Sequence, residues 1–479
     1  MDNIQEEEEE EVQQEGEARD WEYKSNRQTE ERSCPLLLPS KRQELIENRC
    51  NDDDDDDDDD YHQASTQSAV FNLSTTIVGA GIMALPATIK VLGLPLGLVA
   101  ILLAGILSEN SIQALLRYSR PCNATSYGAL MANAFGEAGR IVLQLCIIIN
   151  NFGSLIVYII IIGDVMSGTV GPGQHHTGVL EEWAGGRTWW NERVFVLFTT
   201  TVTILLPLCS LKHIDSLKWT SALSFVLALV FVVITVGITS WKLAARQIEW
   251  PRLTPSVHDQ ASFWHLFTVV PILVTAYFCH HNVHPIANEL DLSTEPSDMK
   301  MRKVVRECLM LCTSIYFCTG LFAYLLFGEA TSDDVLANFD ANLGIPFSHT
   351  LTLLVRASYA IHIMLVFPLL HFSLRLNVDG LLYPKAAALV HDNLRFALIT
   401  GFLVFLIFLG STLVPNIWVA FEYTGATVGL CLAFIFPGLI MLKDKPGMAT
   451  VRDKWEAWVM VILAMLSSVT VIATNLLTS

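Results

Sequence analysis

Residues 71–86 read Phe-Asn-Leu-Ser-Thr-Thr-Ile-Val-Gly-Ala-Gly-Ile-Met-Ala-Leu-Pro, an apolar segment interrupted by two glycines and a run of three hydroxyl side chains. Lipid offers no partner to a freed backbone amide or carbonyl, so an unbroken spanning helix gains nothing from these residues. A broken helix is tolerated at membrane depth where it lines a cavity and points its N–H and C=O ends at a ligand. Small residues also let two helices approach closely. The stretch therefore predicts either a binding site or a packing face.

The composition identifies a membrane protein with an acidic tail. Of the 479 residues, 52% are hydrophobic and 16% are charged, which is too apolar for a soluble protein of this length. The formal net charge of −18 comes mainly from residues 1–60, which hold 24 acidic and 7 basic side chains. This segment has almost no apolar periodicity. We expect residues 1–65 to form a disordered cytosolic tail, and we expect no nucleic-acid partner, metal or cofactor.

Eleven segments are apolar over the roughly 20 residues that a spanning helix needs. The predicted fold class is therefore an all-α polytopic membrane protein with 11 transmembrane helices in a domain of residues 66–479. We number the segments spans 1 to 11, and they lie at 68–90, 95–117, 140–165, 193–210, 217–241, 262–285, 304–327, 350–374, 394–413, 418–442 and 456–477.

Basic residues set the expected orientation, because Lys and Arg concentrate in cytosolic loops. With the N-terminus in the cytosol, sixteen of them fall on the cytosolic side and six on the opposite side. The sequence thus predicts a cytosolic N-terminus and a non-cytosolic C-terminus.

Spans 1 and 6 are both interrupted, span 1 at Gly79–Gly81 and span 6 in the polar run 276–282 that precedes Pro285. Interrupted helices at corresponding places in two halves indicate an inverted-repeat transporter with its site at the membrane midplane. We therefore predict a five-plus-five inverted repeat, with spans 1–5 at 68–241 and spans 6–10 at 262–442.

Several motifs resemble the amino acid/auxin permease family, in its solute carrier family 38 branch. They are residues 71–86, Asn151-x-Gly153 followed by Tyr158, the segment 220–224, and Cys279-His280 followed by Pro285 and Glu289. The stretches 175–183, 333–340 and 344–347 are similar to the plant vacuolar members, the AVT amino acid transporters. The resemblance implies the LeuT-like fold of the amino acid, polyamine and organocation superfamily. It also implies an amino acid substrate between spans 1, 3, 6 and 8.

One departure from the family bears on ion coupling. Sodium-coupled relatives use an Asn in span 1 and a Thr in span 8 near the cation. Here the aligned span-1 residue is Thr75, and residues 361–366 of span 8 offer no hydroxyl. The resemblance with this departure favours proton coupling or uncoupled flow over sodium coupling.

The zwitterionic ends of an amino acid define the candidate substrate-binding residues. The break of span 1 suits the carboxylate because a half-helix begins there with its positive dipole end. Freed carbonyls in span 1, or near Phe278 in span 6, suit the ammonium group. Asn150, Asn151 and Tyr158 form a polar stripe on span 3, for which interhelical hydrogen bonds are the alternative explanation. The predicted set is Thr75, Thr76, Val78, Gly79, Ala80, Gly81, Asn151, Tyr158 and Phe278.

Ionisable residues inside a membrane are functional hypotheses by default. The predicted coupling candidates are His280, His362, Glu422 and Glu109, with His281 beside the first of them. Histidine suits a proton carrier because its ordinary pKa of about 6.5 lies between cytosolic and acidic-lumen pH. A hydrogen-bonded core histidine is the alternative reading for His280 and His362.

The sequence therefore predicts a secondary transporter of neutral amino acids that works by alternating access, with spans 1, 2, 6 and 7 moving against spans 3, 4, 8 and 9. Its partners would be the amino acid, protons and membrane lipid, and the resemblance places it in the vacuolar membrane or another endomembrane. The alternative is an amino acid sensor that signals to a cytosolic partner through the acidic tail. An enzyme is not expected, because the chain lacks a nucleophile–base pair, a metal motif, a phosphate loop and a dinucleotide fingerprint.

Overall fold

The computed structural model describes residues 65–171, 174–257, 263–264, 266–290, 297–339, 343–413 and 424–478. The predicted acidic tail lies outside this part, except for Ser65. The helices are α1 (Thr66–Ile77), α2 (Gly81–Leu92), α3 (Leu94–Ser119), α4 (Tyr127–Ser167), α5 (Val179–Ala184), α6 (Arg193–Cys209), α7 (Lys218–Ala244), α8 (Val269–Ala276), α9 (His280–Glu289), α10 (Ser297–Phe327), α11 (Val335–Asn338), α12 (Ser348–Leu382), α13 (Asn393–Leu413), α14 (Thr427–Lys443) and α15 (Val451–Thr478).

Among the described residues, eight helices are long and apolar enough to cross a membrane, or nine if α1 and α2 form one bent span. Two shorter apolar helices, α6 and α14, lie where spans 4 and 10 were predicted. The all-helical polytopic architecture is therefore confirmed. The count of eleven spans and the five-plus-five repeat stay predictions.

A short hairpin follows α4 and was not predicted. Strands β1 (Gly168–Gly171) and β2 (Gln174–Thr177) pair antiparallel, with Gly168 opposite Thr177. Helix α4 stops at Gly168 because this residue takes a positive φ of 78°, which glycine adopts without steric cost. The hairpin leads the chain into α5, which packs beside α4 and α12.

The two broken segments lie against each other at the centre of the helices. Helix α1 packs on α9, while α2 packs on α8, so each half of one segment meets the opposite half of the other. Helix α12 packs along α4 and α7, and α10 packs on α1, α2 and α3. Val78 and Ala80 in one broken segment, and Tyr277 and Cys279 in the other, are at most 5% exposed. Both breaks are therefore enclosed by other helices.

Candidate functional site

The first break comprises Val78, Gly79 and Ala80. Helix α1 ends because Val78 leaves the helical region, with φ −74° and ψ 83°. Helix α2 then starts at Gly81 in a direction that differs by 55°, and no side chain caps its first amides. The Ile82 and Met83 amides donate to the Gly79 and Ala80 carbonyls at 3.3 and 3.2 Å. What this N-terminus offers an anion is therefore mainly the positive end of the helix dipole. The Ala80 amide faces the hydroxyl of Tyr158 from α4.

The carbonyls of this break receive hydrogen bonds from buried side chains on other helices. The Tyr316 hydroxyl lies 2.6 Å from the Ile77 oxygen. On α12, His362 Nε2 lies 2.8 Å from the Val78 oxygen. The Tyr359 hydroxyl lies 3.1 Å from the Gly79 oxygen. An ammonium group binding here would therefore share or replace an existing bond.

The second break comprises Tyr277, Phe278 and Cys279, between α8 and α9. The carbonyl of Ala276, the last residue of α8, lies 2.7 Å from the Tyr316 hydroxyl. The same hydroxyl lies within hydrogen-bond distance of the Ile77 carbonyl of the first segment, so its single proton is shared between the two. This residue therefore links both breaks.

The two glycines of the first break keep these elements close together. A Cβ on Gly81 would lie 2.8 Å from the Ala276 Cα, closer than Cβ atoms approach non-bonded atoms in real structures. A Cβ on Gly79 would overlap the Tyr158 hydroxyl. The glycine pair thus serves helix packing, and the packing brings the broken ends to one place.

A cavity of about 30 Å³ lies between the two breaks. This volume holds roughly two water molecules, so an amino acid fits only after the walls move apart. The cavity is lined by Thr76, Ile77, Gly79, Ala80, Gly81, Asn150, Ser154, Tyr158, Thr275, Phe278, His281 and Leu370.

Most of the predicted substrate-binding residues meet at this cavity. Those that line it are Thr76, Gly79, Ala80, Gly81, Tyr158 and Phe278. The other three lie beside it. Thr75 donates to the Ser221 carbonyl at 2.9 Å, and Val78 offers its carbonyl to His362. Asn151 is fully buried and accepts from Asn150 Nδ2 at 3.3 Å.

Four lining residues were not named as candidates from the sequence: Ile77, Ser154, Thr275 and Leu370. Asn150, Ser154 and Tyr158 recur every four residues, which places them on one face of α4. That spacing was the available signal for Ser154. Thr275 sits in an apolar run, and Leu370 is an ordinary helix residue, so neither carried a local signal.

Among the coupling candidates, His362 bridges three elements at the first break. Its Nδ1 lies 2.8 Å from both the hydroxyl and the carbonyl oxygen of Ser224 on α7. Its Nε2 lies 2.8 Å from the Val78 carbonyl. The side chain is fully buried, and the nearby ring is that of Tyr359, at a centroid distance of 5.5 Å.

Two further coupling candidates, His280 and Glu109, do not line the cavity. His280 Nε2 lies 3.0 Å from the Ser111 hydroxyl, and its ring stacks on Phe278. Glu109 pairs with Arg306 between α3 and α10, at 3.3 Å. Glu422 lies outside the described residues.

Two groups of polar contacts join separate parts of the chain away from the cavity. Where α1 begins, Ser68 donates to Asp215 at 2.7 Å, and the Glu289 carboxylate accepts from the backbone amides of Ile214 and Asp215 at 3.1 and 2.8 Å. Elsewhere, Arg356 of α12 bonds to Glu182 at 2.8 Å and to the Thr177 carbonyl. We call the contacts among Ser68, Ile214, Asp215 and Glu289 the Asp215 latch.

Comparisons with known proteins agree with this architecture. The family model described as "Transmembrane amino acid transporter protein" matches residues 62–477. The chain is 54% identical to amino acid transporter AVT6A of Arabidopsis thaliana over 408 residues, covering 85% of this chain and 87% of that protein. It is 53% identical to AVT6B of the same plant, covering 85% and 89% of the two chains. Solute carrier family 38 member 10 of Rattus norvegicus is 27% identical, over 78% of this chain and 32% of that protein.

Two solved transporters share the fold at low sequence identity. A manganese transporter of Eremococcus coleocola superposes with a TM-score of 0.57 at 10% identity, covering 85% of this chain and 86% of that one. A Na⁺-coupled sialic acid symporter superposes with a TM-score of 0.54 at 12% identity, covering 87% and 92%. These likenesses support the expected LeuT-like architecture and carry no information about the substrate.

Proposed function

Because this chain belongs to the transmembrane amino acid transporter family, we propose that it is a proton-coupled secondary transporter of neutral amino acids that works by alternating access. The observation that carries this proposal is the cavity at which two helix breaks meet. The uncapped N-terminus of α2 suits a carboxylate, with the Tyr158 hydroxyl beside it. No charged side chain is among the described residues that line the cavity. A substrate without net charge therefore fits, since an unpaired charge is costly in a low dielectric.

The surroundings of His362 support proton coupling. In a neutral imidazole one nitrogen donates and the other accepts. Both nitrogens of His362 face carbonyl oxygens at 2.8 Å, those of Ser224 and Val78. A protonated ring donates to both. In the neutral ring, the Ser224 hydroxyl can supply the proton for the bond to Nδ1. Loading a proton thus strengthens the link between α12, α7 and the first break.

The proposed topology has eleven spans, with α6 and α14 as spans 4 and 10. Spans 1–5 and 6–10 form inverted halves, and the reciprocal packing of α1 on α9 and of α2 on α8 supports this arrangement. We place the N-terminus in the cytosol and the protein in the vacuolar membrane or another endomembrane, on the similarity of its motifs to the plant vacuolar transporters.

Uptake by purified protein in liposomes tests the proposal. Labelled amino acids are offered with a pH gradient of either polarity and, separately, with a sodium gradient. We expect accumulation under the pH gradient alone. Accumulation driven only by sodium would refute the coupling, and no flux of any of the twenty amino acids would refute transport itself.

A further inference from the structure

His281 is a buried histidine in the cavity wall. The residue is 5% exposed and lies in the first turn of α9, just after the second break. Neither Nδ1 nor Nε2 has a hydrogen-bond partner among the described residues. The Phe278 ring holds the imidazole from one side, at a centroid distance of 4.8 Å. Its two polar atoms are therefore held in place and unsatisfied.

Each of the two neighbouring histidines on α9 has a partner for its Nε2, while its Nδ1 has none among the described residues. His280 Nε2 lies 3.0 Å from the Ser111 hydroxyl, and His284 Nε2 lies 2.7 Å from the Ser119 hydroxyl. Both are buried, and neither lines the cavity. Buried polar groups are normally hydrogen-bonded, and leaving one unpaired destabilises the fold. On α12, His371 also lacks a hydrogen-bond partner at both nitrogens among the described residues, but it does not line the cavity. What distinguishes His281 is that its two unpaired nitrogens lie in the cavity wall, where a bound ligand can complete their hydrogen bonds.

We propose that His281, with Thr275, selects amino acids whose side chains are uncharged but can form hydrogen bonds, such as hydroxyl and carboxamide side chains. The inference rests on the proposed transport function. Thr275 Oγ1 is also buried without a partner among the described residues, and it lines the same cavity. A neutral imidazole offers one donor and one acceptor, which complement a carboxamide.

The division of the cavity supports this assignment. The carboxylate of the substrate is placed at the N-terminus of α2, beside Tyr158. The ammonium group is placed at the carbonyls of the first break. That leaves the polar atoms of His281 and Thr275 to the substrate's side chain. An aliphatic side chain of the same shape would leave these atoms unpaired, and sites built to hydrogen-bond a substrate reject such analogues strongly.

The test compares near-isosteric substrates in proteoliposomes: asparagine with leucine, and threonine with valine. For the wild type we expect kcat/KM to favour the polar member of each pair by about tenfold or more. The variant His281→Phe keeps a ring against Phe278 but removes both nitrogens, so both ratios should fall to about one. His281→Gln should restore part of the preference, because an amide again offers a donor and an acceptor.

His371→Phe is the matched control. It replaces a fully buried histidine on α12 that does not line the cavity, and it should leave both ratios unchanged. Equal uptake within each pair by the wild type, or unchanged ratios in His281→Phe, overturns this inference alone. Absence of uptake of any of the twenty amino acids by the wild type would overturn the proposed function as well.

A second measurement does not depend on a variant that folds. Asparagine should stabilise the purified wild-type protein against heat more than leucine does at equal concentration. Equal stabilisation overturns the inference, and greater stabilisation by asparagine supports it even if His281→Phe cannot be purified.

Discussion

Replacing His362 by glutamine should uncouple amino acid transport from the proton gradient. The proposed coupling uses one ionisable side chain, so one proton accompanies each substrate molecule. A tenfold concentration ratio corresponds to about 1.4 kcal/mol, which is also the free energy of one proton across one pH unit. The wild type should therefore accumulate a neutral amino acid about tenfold per pH unit, and about a hundredfold across two units.

Glutamine can still donate to the Val78 carbonyl, but it cannot acquire a second donor by protonation. His362→Gln should therefore exchange labelled for unlabelled amino acid while losing accumulation under a pH gradient. The assay measures both in the same liposomes, with the voltage clamped by potassium and valinomycin. His371→Gln, on the same helix, is the control and should keep the wild-type response. Undiminished accumulation by His362→Gln would refute the role of this histidine.

Three further predictions concern the breaks and the Asp215 latch. Tyr316→Phe removes the hydroxyl shared by the two breaks, so the free energy of unfolding should fall by about 1–3 kcal/mol, measured by denaturant unfolding in detergent. A loss below about 0.5 kcal/mol would contradict this prediction. Gly81→Ala forces a Cβ to within 2.8 Å of the Ala276 Cα and should reduce uptake about tenfold or more. Gly237→Ala is the control, because a Cβ there meets open space, and it should not reduce uptake. Similar uptake by the two variants would argue against close packing at the breaks. Glu289→Gln removes the negative charge of the carboxylate that accepts hydrogen bonds from two backbone amides of the Asp215 latch. Hydrogen exchange at the Ile214 and Asp215 amides should become about tenfold faster. Unchanged exchange would contradict this prediction.

The sequence was most informative where a local rule of membrane chemistry was broken. Two glycines and three hydroxyls in an apolar run located the first break within a residue or two, because lipid leaves few reasons for such residues. The second break was also located, but Pro285, the predicted end of span 6, lies within α9, which continues to Glu289. Apolar length alone could not decide whether α6 and α14 are full spans.

Much of the candidate site depends on contacts between distant parts of the chain. Tyr316 lies 239 residues from Ile77, and nothing around it in the sequence marks it as the donor to both breaks. The choice of Asn151 over its neighbour rested on a motif. The structure instead places Asn150 in the cavity wall, one residue away and on another face of α4. A single sequence gives little information on such rotations.

The contacts of the first break also say which parts should move together. Gly81 meets Ala276, and Tyr316 is shared between the breaks, so α1–α2 and α8–α9 are expected to move as a unit. Ser224 lies on α7 and His362 on α12, helices that pack against each other. The hydrogen bond from His362 to the Val78 carbonyl therefore joins the α7–α12 pair to the α1–α2 and α8–α9 unit, which contains both breaks. A proton bound there acts on the contact that must change when the two parts rock. We therefore expect protonation of His362 to alter the rate of opening of the cavity as well as the driving force for transport.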